Sequence, residues 1–267
     1  MTADGLHTAV VNGIRLAYRI DGPADRPWLL ASNGLLTTHR SWDAEVPALA
    51  RRFRVLRYDT RGHGASAGPR GAYEMDDLVA DALGLLDHVG AARASVLGLS
   101  LGGATVIGMA LRAPERVEAL IVADARCEAD AAFRAAWDGR IAALEAGGIA
   151  SLVEPTLERW FPAFWAEGNP EAADRVRDMI RQTSPEGYAS CATALKGLAY
   201  FPRLRDIAVP ALFLVGAEDT SSPVEVMRAM HREVSGAAFA IIPDAGHLSN
   251  VANPSAFGAA LDHFLGR

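Results

Sequence analysis

Cysteine is scarce: the 267 residues hold two, Cys127 and Cys191. Two thiols cannot build a disulfide framework, and they lack the spacing of metal ligands. No run of 18 apolar residues exists, so nothing reads as a membrane-spanning helix. Basic residues are in deficit, 26 against 32 acidic, and the formal charge of −6 leaves no electrostatic footprint for nucleic acid or an anionic membrane. The opening residues, with Asp4, His7 and Asn12, lack a basic-then-apolar leader, so a soluble, cytoplasmic protein is expected. No G-x-G-x-x-G follows the first apolar runs, which argues against hydride transfer. Hydrophobic residues make up half of the chain and charged ones 22%, a mixture that excludes disorder and supports a full core.

What is present is an alternation. Asn12-Gly13 separates Val10-Val11 from Ile14 to Ile20, and this dipeptide favours a two-residue hairpin because both positions tolerate positive φ. Short apolar runs then recur at Trp28 to Ala31, Phe53 to Tyr58, Ala94 to Leu99, Val117 to Ala123, Ala211 to Val215 and Ala237 to Ile242. Amphipathic stretches lie between most of them, among them Asp76 to His88, Leu101 to Arg112 and Val224 to Val234. Continuous apolar strands separated by helices predict an α/β fold, a mostly parallel sheet covered on both faces. Residues 125–205 break the rhythm with helical patterns only, at Ala131 to Ala146, Ser151 to Trp160, Pro170 to Gln182 and Gly187 to Leu198. The expected organisation is a core of 1–124 and 206–267 with an inserted helical lid. That insertion holds nine of the nineteen aromatic residues, a surplus that suits either the roof of a pocket or helices packed on one another.

The chemistry centres on Gly98-Leu99-Ser100-Leu101-Gly102-Gly103, a G-x-S-x-G pattern between an apolar run and a helical one. In that context the serine sits on a sharp turn with its hydroxyl exposed above the sheet edge. A serine hydroxyl needs a base, and His247, in the loop Asp244 to His247 after the last apolar run, is the candidate. Of the others, His7 and His39 precede the serine, His63 sits in a glycine turn, and His88, His231 and His263 fall on helical stretches. Asp219, after the run ending at Val215, is favoured as the acid that orients the imidazole. Asp124 is its rival at the same sheet edge, and Glu218 is read as a solvated neighbour. The oxyanion donors are assigned to the amides of Leu101, at a helix N-terminus, and of Leu35 in Ser32-Asn33-Gly34-Leu35-Leu36. Gly34 is expected to supply the unusual backbone angle there. Asp59 to Ser66, with two glycines, reads as a structural turn near the elbow. A carboxylate-bearing substrate should meet a cation, and Arg126, Arg134, Arg140 and Arg159 are the lid candidates. Trp137, Trp160, Arg126 and Arg140 are taken as pocket residues. No metal or organic cofactor is required.

These residues resemble the α/β-hydrolase family and, within it, the 3-oxoadipate enol-lactonases. The stretches that carry the resemblance are Phe53 to Ser66, Gly98 to Gly103 with Ala113-Pro114-Glu115-Arg116, Pro185 to Ala189, and His247-Leu248-Ser249-Asn250. The resemblance implies ring-opening hydrolysis of 3-oxoadipate enol-lactone in aromatic-compound breakdown through the β-ketoadipate pathway. In it, Ser100, Asp219 and His247 match the triad, and Leu35 and Leu101 match the oxyanion donors. The chain departs from those lactonases at Gly34-Leu35-Leu36, where they tend to have Ser-Leu-Gly, at Leu101, where they have Met, and around Arg126 to Asp130. Those positions border the acyl pocket, so another ester, lactone or amide is the alternative substrate. A ligand receptor on the same fold is the alternative from a different class.

Overall fold

The computed structural model describes residues 5–68 and 71–266; Asp4, cited above, lies outside them. Strands β1 (His7–Val11) and β2 (Ile14–Asp21) form the expected hairpin, with Val11 opposite Ile14. Asn12 and Gly13 both have positive φ, 49° and 75°, the mirror-image turn whose twist matches the flanking strands. The remaining strands are β3 (Trp28–Ser32), β4 (Arg54–Tyr58), β5 (Ala94–Leu99), β6 (Val117–Ala123), β7 (Ala211–Gly216) and β8 (Ala238–Ile242). They join in the order β1-β2-β4-β3-β5-β6-β7-β8, antiparallel at β1-β2 and β2-β4 and parallel from β4 onward.

The apolar runs are continuous because both sheet faces are covered. Along β7, Leu212 and Leu214 point into one core, while Phe213 and Val215 point into the other. Helices α1 (Met75–His88) and α2 (Leu101–Arg112) supply Val79, Leu85, Ile107 and Met109 to the second core. Cutting one such buried side chain back to alanine costs about 2–5 kcal/mol. Between β6 and β7 run four helices of eight or more residues, α3 (Ala131–Gly147), α4 (Val153–Trp160), α5 (Pro170–Arg181) and α6 (Pro185–Lys196). Asp130 caps α3 by accepting the Phe133 N–H at 2.7 Å, and Ser184 caps α6 by accepting that of Gly187 at 3.0 Å. Beyond β7, α7 (Val224–Glu233) and α8 (Pro254–Leu265) complete the covering, with Phe257 of α8 packed on the fully buried Trp42. Among the described residues no helix is long and apolar enough to cross a membrane.

The α6 end of the insertion is seated on the core by glycine. A side-chain carbon on Gly62 would stand 2.4 Å from the Gly187 Cα, and one on Gly187 would stand 2.5 Å from that of Gly62. The two backbones therefore touch, and the Ser184 N–H bonds the Gly62 carbonyl at 2.9 Å beside them.

Glu45 is a buried carboxyl with an expected signature. Its Oε2 meets the Asn250 amide at 3.4 Å, and Oε1 has no partner. Burial pushes its pKa from 4.5 up to about 8. Unfolded chains release this proton near 4.5 and the folded one holds it to about 8, so between those values folding retains a proton and stability falls as pH rises. The slope is at most about 1.4 kcal/mol per pH unit. Thermal unfolding across that window should show a flatter decline for Glu45→Gln than for the wild type.

Candidate active site

Ser100 sits between β5 and α2 with φ 55° and ψ −113°, a conformation that non-glycine residues hold only under external constraint. The constraint comes from close backbones. A side-chain carbon at Gly98 would lie 2.1 Å from the Gly102 carbonyl oxygen, and one at Gly102 would lie 2.1 Å from that of Ser32. Strand, serine and helix can thus crowd together only because both flanking positions lack a Cβ. The strand runs to Leu99 and the helix starts at Leu101, so the bend falls wholly on the serine.

His247, in the loop after β8, places Nε2 2.9 Å from Ser100 Oγ. Its Nδ1 lies 2.8 Å from Asp219 Oδ2. Asp219 is in turn fixed through Oδ1, which accepts the N–H groups of Ser221 at 2.7 Å and Ser222 at 2.9 Å. Both His247 and Asp219 are buried. The His247 N–H bonds the Trp160 carbonyl at 2.7 Å, so the end of α4 holds the histidine loop directly. A hydroxyl, an imidazole and a carboxylate in this order can pass a proton from serine to histidine while the carboxylate stabilises the resulting imidazolium.

Asp124 occupies a different place. Fully buried, it accepts the Gly216 N–H at 2.8 Å through Oδ1 and the Ser249 hydroxyl at 2.5 Å through Oδ2. It ties the end of β7 to the segment just past His247. Burial, and then the nearby Asp219 carboxylate, push its pKa well above the ordinary range. Glu218 is exposed.

Leu101 begins α2, where the first N–H groups have no acceptor within the helix. Among the described residues no group takes the Leu35 amide hydrogen. The turn carrying it packs close to the serine, since a carbon added at Gly34 would stand 3.5 Å from Ser100 Cβ. The expectation for Gly34 is corrected here. Positive φ falls on Leu36, at 66°, and not on Gly34; what Gly34 supplies is room against Leu99, whose Cδ2 an added carbon would approach to 3.2 Å. The Asp59 to Ser66 turn lies alongside, with Asp59 Oδ1 accepting the His39 backbone N–H at 2.8 Å.

A cavity of about 220 Å³ opens over Ser100 and His247. Trp137, Trp160, Arg126 and Arg140 all line it, as do Arg159, Phe133, Tyr188, Leu36 and Ser221. Four of the nine aromatics of the insertion face it; others pack elsewhere, as where Phe161 stacks on Trp165 at 3.9 Å. Arg134 is exposed and takes no part. Arg126 is engaged, donating to the Ser221 carbonyl at 2.8 Å and pairing with Asp130 at 3.5 Å. Arg140 lies 4.5 Å over the Trp137 ring, and Arg159 donates only to Pro155 and Thr156 of its own helix. Among the described residues neither has a carboxylate partner. Burial lowers both, and Arg159, with Arg140 also repelling it, comes down to about 10. Burial pushes Tyr188 up to about 12. Trp137 Nε1, Arg159 Nε and Ser221 Oγ are buried polar atoms without a protein partner. Such groups cost free energy until a ligand satisfies them. Ser221 had no signal as a pocket residue in the sequence beyond its nearness to Asp219, whereas Tyr188 is one of the nine insertion aromatics, which composition alone does not sort between pocket and packing.

Among known proteins, the family model described as alpha/beta hydrolase fold matches residues 27–254. A 3-oxoadipate enol-lactonase of Acinetobacter baylyi is 34% identical over 260 residues, covering 97% of this chain and 96% of that protein. A protein of a Caulobacter species named for carbamate hydrolysis is 32% identical, covering 99% and 97%. The crystal structure of the enol-lactonase from Burkholderia xenovorans superposes with a TM-score of 0.94 at 36% identity, covering 98% of this chain and all of that one.

Proposed function

The chain belongs to the α/β-hydrolase family, and on that premise we propose that it is a serine hydrolase opening a small anionic lactone, 3-oxoadipate enol-lactone, through an acyl-enzyme. In this reading Ser100 is the nucleophile, His247 the general base and then acid, and Asp219 the residue that holds the imidazole's tautomer. The amides of Leu35 and Leu101 receive the oxyanion, and residues 125–205 serve as the lid over a core of 1–124 and 206–267.

Attack by Ser100 Oγ on the lactone carbonyl sends the serine proton to His247 Nε2, and negative charge collects on the carbonyl oxygen. Collapse breaks the bond to the ring oxygen, which takes the proton held on His247 Nε2 and leaves as an enol, a better leaving group than an alkoxide. In a lactone that group stays attached to the acyl chain, so the pocket must hold it while water enters. Water, deprotonated by His247, then attacks the acyl carbonyl; the bond to Ser100 Oγ breaks, that oxygen takes the proton back from His247, and the freed acid's enol becomes the ketone.

The observation that carries the choice of substrate is the pair Arg140 and Arg159, half-buried at the cavity without an acidic partner. A buried cation without a counterion is unfavourable, and a substrate carboxylate supplies one. The partnerless Trp137 Nε1–H and Arg159 Nε–H are further donors for the same oxygens. Relatives named for the enol-lactone, at 32–34% identity, support this reading; the carbamate-named relative keeps a neutral acyl compound as the second one.

A substrate panel tests it. Turnover of the enol-lactone should exceed that of 4-nitrophenyl acetate, a simple carbamate and unrelated neutral lactones in kcat/KM; a neutral ester or carbamate outpacing it would defeat the assignment. In the same assays Arg140→Gln should raise KM for the anionic lactone about 10-fold or more, the worth of a charge-assisted hydrogen bond, and leave KM for 4-nitrophenyl acetate nearly unchanged.

A further inference from the structure

The turn bearing the Leu35 amide has a shape its residues do not favour. Gly34 to Thr37 is a β-turn closed by the Thr37 N–H on the Gly34 carbonyl at 3.2 Å. Leu36 has φ of 66° while Leu35 stays outside the left-handed region, which defines a type II turn. That turn normally places glycine third, because a side chain there crowds its own backbone. Two leucines suit the type I form, which differs by a half-rotation of the peptide joining the two central residues.

The hydrogen of that peptide is the Leu36 N–H, and His63 Nε2 accepts it at 3.1 Å. Across the ring, Nδ1 is 3.0 Å from the Arg61 carbonyl, which can only accept, so the proton resides on Nδ1 and Nε2 keeps its lone pair. The ring is fully buried, and burial holds its pKa below the ordinary value. Its support is firm: the His63 N–H bonds the Thr60 carbonyl at 2.9 Å, and Arg61 grips Asp81 of α1 at 2.8 and 2.9 Å. A fixed acceptor thus faces the one peptide whose rotation separates the two turn types. His63 does not line the cavity, so whatever it does for the reaction passes through the turn.

We infer that His63 is a positioning residue for acyl transfer: by accepting the Leu36 amide hydrogen it holds the Gly34–Thr37 turn in its type II form, and so fixes both the Leu36 side chain at the cavity wall and the turn from which the Leu35 amide, on the neighbouring peptide, reaches the oxyanion. The inference rests on the hydrolase reading above, with Leu35 as a donor. When the acceptor is lost, the peptide rotates, Leu36 relaxes to negative φ, and its side chain swings at the cavity wall beside Ser100.

Rescue by glycine distinguishes this role from a merely structural one. The readouts are kcat and KM for 4-nitrophenyl acetate, with fluorophosphonate labelling and thermal unfolding of every variant. His63→Phe fills the slot without an acceptor, and kcat should fall about 10- to 100-fold with KM little changed, somewhat less than the loss of an oxyanion donor. In a Leu36→Gly background, where positive φ carries no steric cost, the same substitution should cost less than about threefold. His63→Gln, whose side-chain oxygen can accept the same hydrogen, should fall between. If His63→Phe does not fold, the cycle is run with His63→Gln and the smaller loss must likewise shrink in the glycine background. A folded His63→Phe enzyme with kcat within about twofold of wild type, or an equal loss in both backgrounds, overturns the inference. A wild type that fluorophosphonate leaves unlabelled overturns the hydrolase reading itself, and this inference with it; one that labels but ignores the enol-lactone overturns only the substrate.

Discussion

Ser100→Ala should lose about 10⁴- to 10⁶-fold in kcat against whichever acyl substrate the wild type turns over, the range seen when a triad nucleophile is removed. The argument is local. The side chain of Ser100 is the hydroxyl within 2.9 Å of His247 Nε2, and among the described residues no other hydroxyl or thiol is hydrogen-bonded to that nitrogen. A residual rate above that in water is expected, because the amides of Leu35 and Leu101 and the cavity persist without the hydroxyl. Stability should change little, since alanine meets the same backbone angle of 55° that serine already bears. Labelling by a fluorophosphonate should vanish. Activity retained within about a hundredfold would mean that water or another residue attacks, and the acyl-enzyme would have to be abandoned.

Asp219→Asn and Asp124→Asn should separate by about three orders of magnitude. An amide at 219 that donates to His247 Nδ1 stabilises the tautomer with its proton on Nε2, which faces Ser100 and can no longer accept; losses near 10⁴-fold in kcat follow from that inversion. At 124 the expectation is the reverse. Asp124 makes its hydrogen bonds to Gly216 and Ser249 rather than to Ser100, His247 or Asp219, so an amide of similar shape leaves that chain of contacts in place. It still accepts the Gly216 N–H, now 2.8 Å away, and activity should stay within about tenfold. Equal losses at both positions would indicate that the two carboxyls act as one unit, and the assignment of a single orienting acid would fail.

The elbow and the hairpin were legible because their geometry is dictated nearby. Asn12-Gly13 supplies positive φ from its own residue types, and Gly98 and Gly102 are needed where three backbones converge. The sheet was legible for a related reason: residues such as Phe213 and Leu214 are apolar in succession because each faces its own core. Leu36 was not legible. Glycine is the default for positive φ, so Gly34 drew the expectation, yet the deciding contact comes from an imidazole 27 residues away. Arg134 and Arg140 each stand three residues from Trp137, so helical spacing treats them alike. Only the docking of α3 on α6, with Trp137 6.1 Å from Tyr188, turns one toward the cavity and leaves the other in solvent. Nor could composition reveal that Glu45 is buried, since nothing in Ala44-Glu45-Val46 distinguishes it from a surface acid.

The seam at Gly62 and Gly187 bears on how freely this protein can be re-engineered. Two main chains in van der Waals contact leave no volume for even a methyl group, so a library diversified for new specificities will return glycine at both places regardless of the compound selected. The tolerant ground lies instead along α3, whose side chains reach the cavity from a helix largely open to solvent on its other face. A designer gains variety there while treating the seam as immutable.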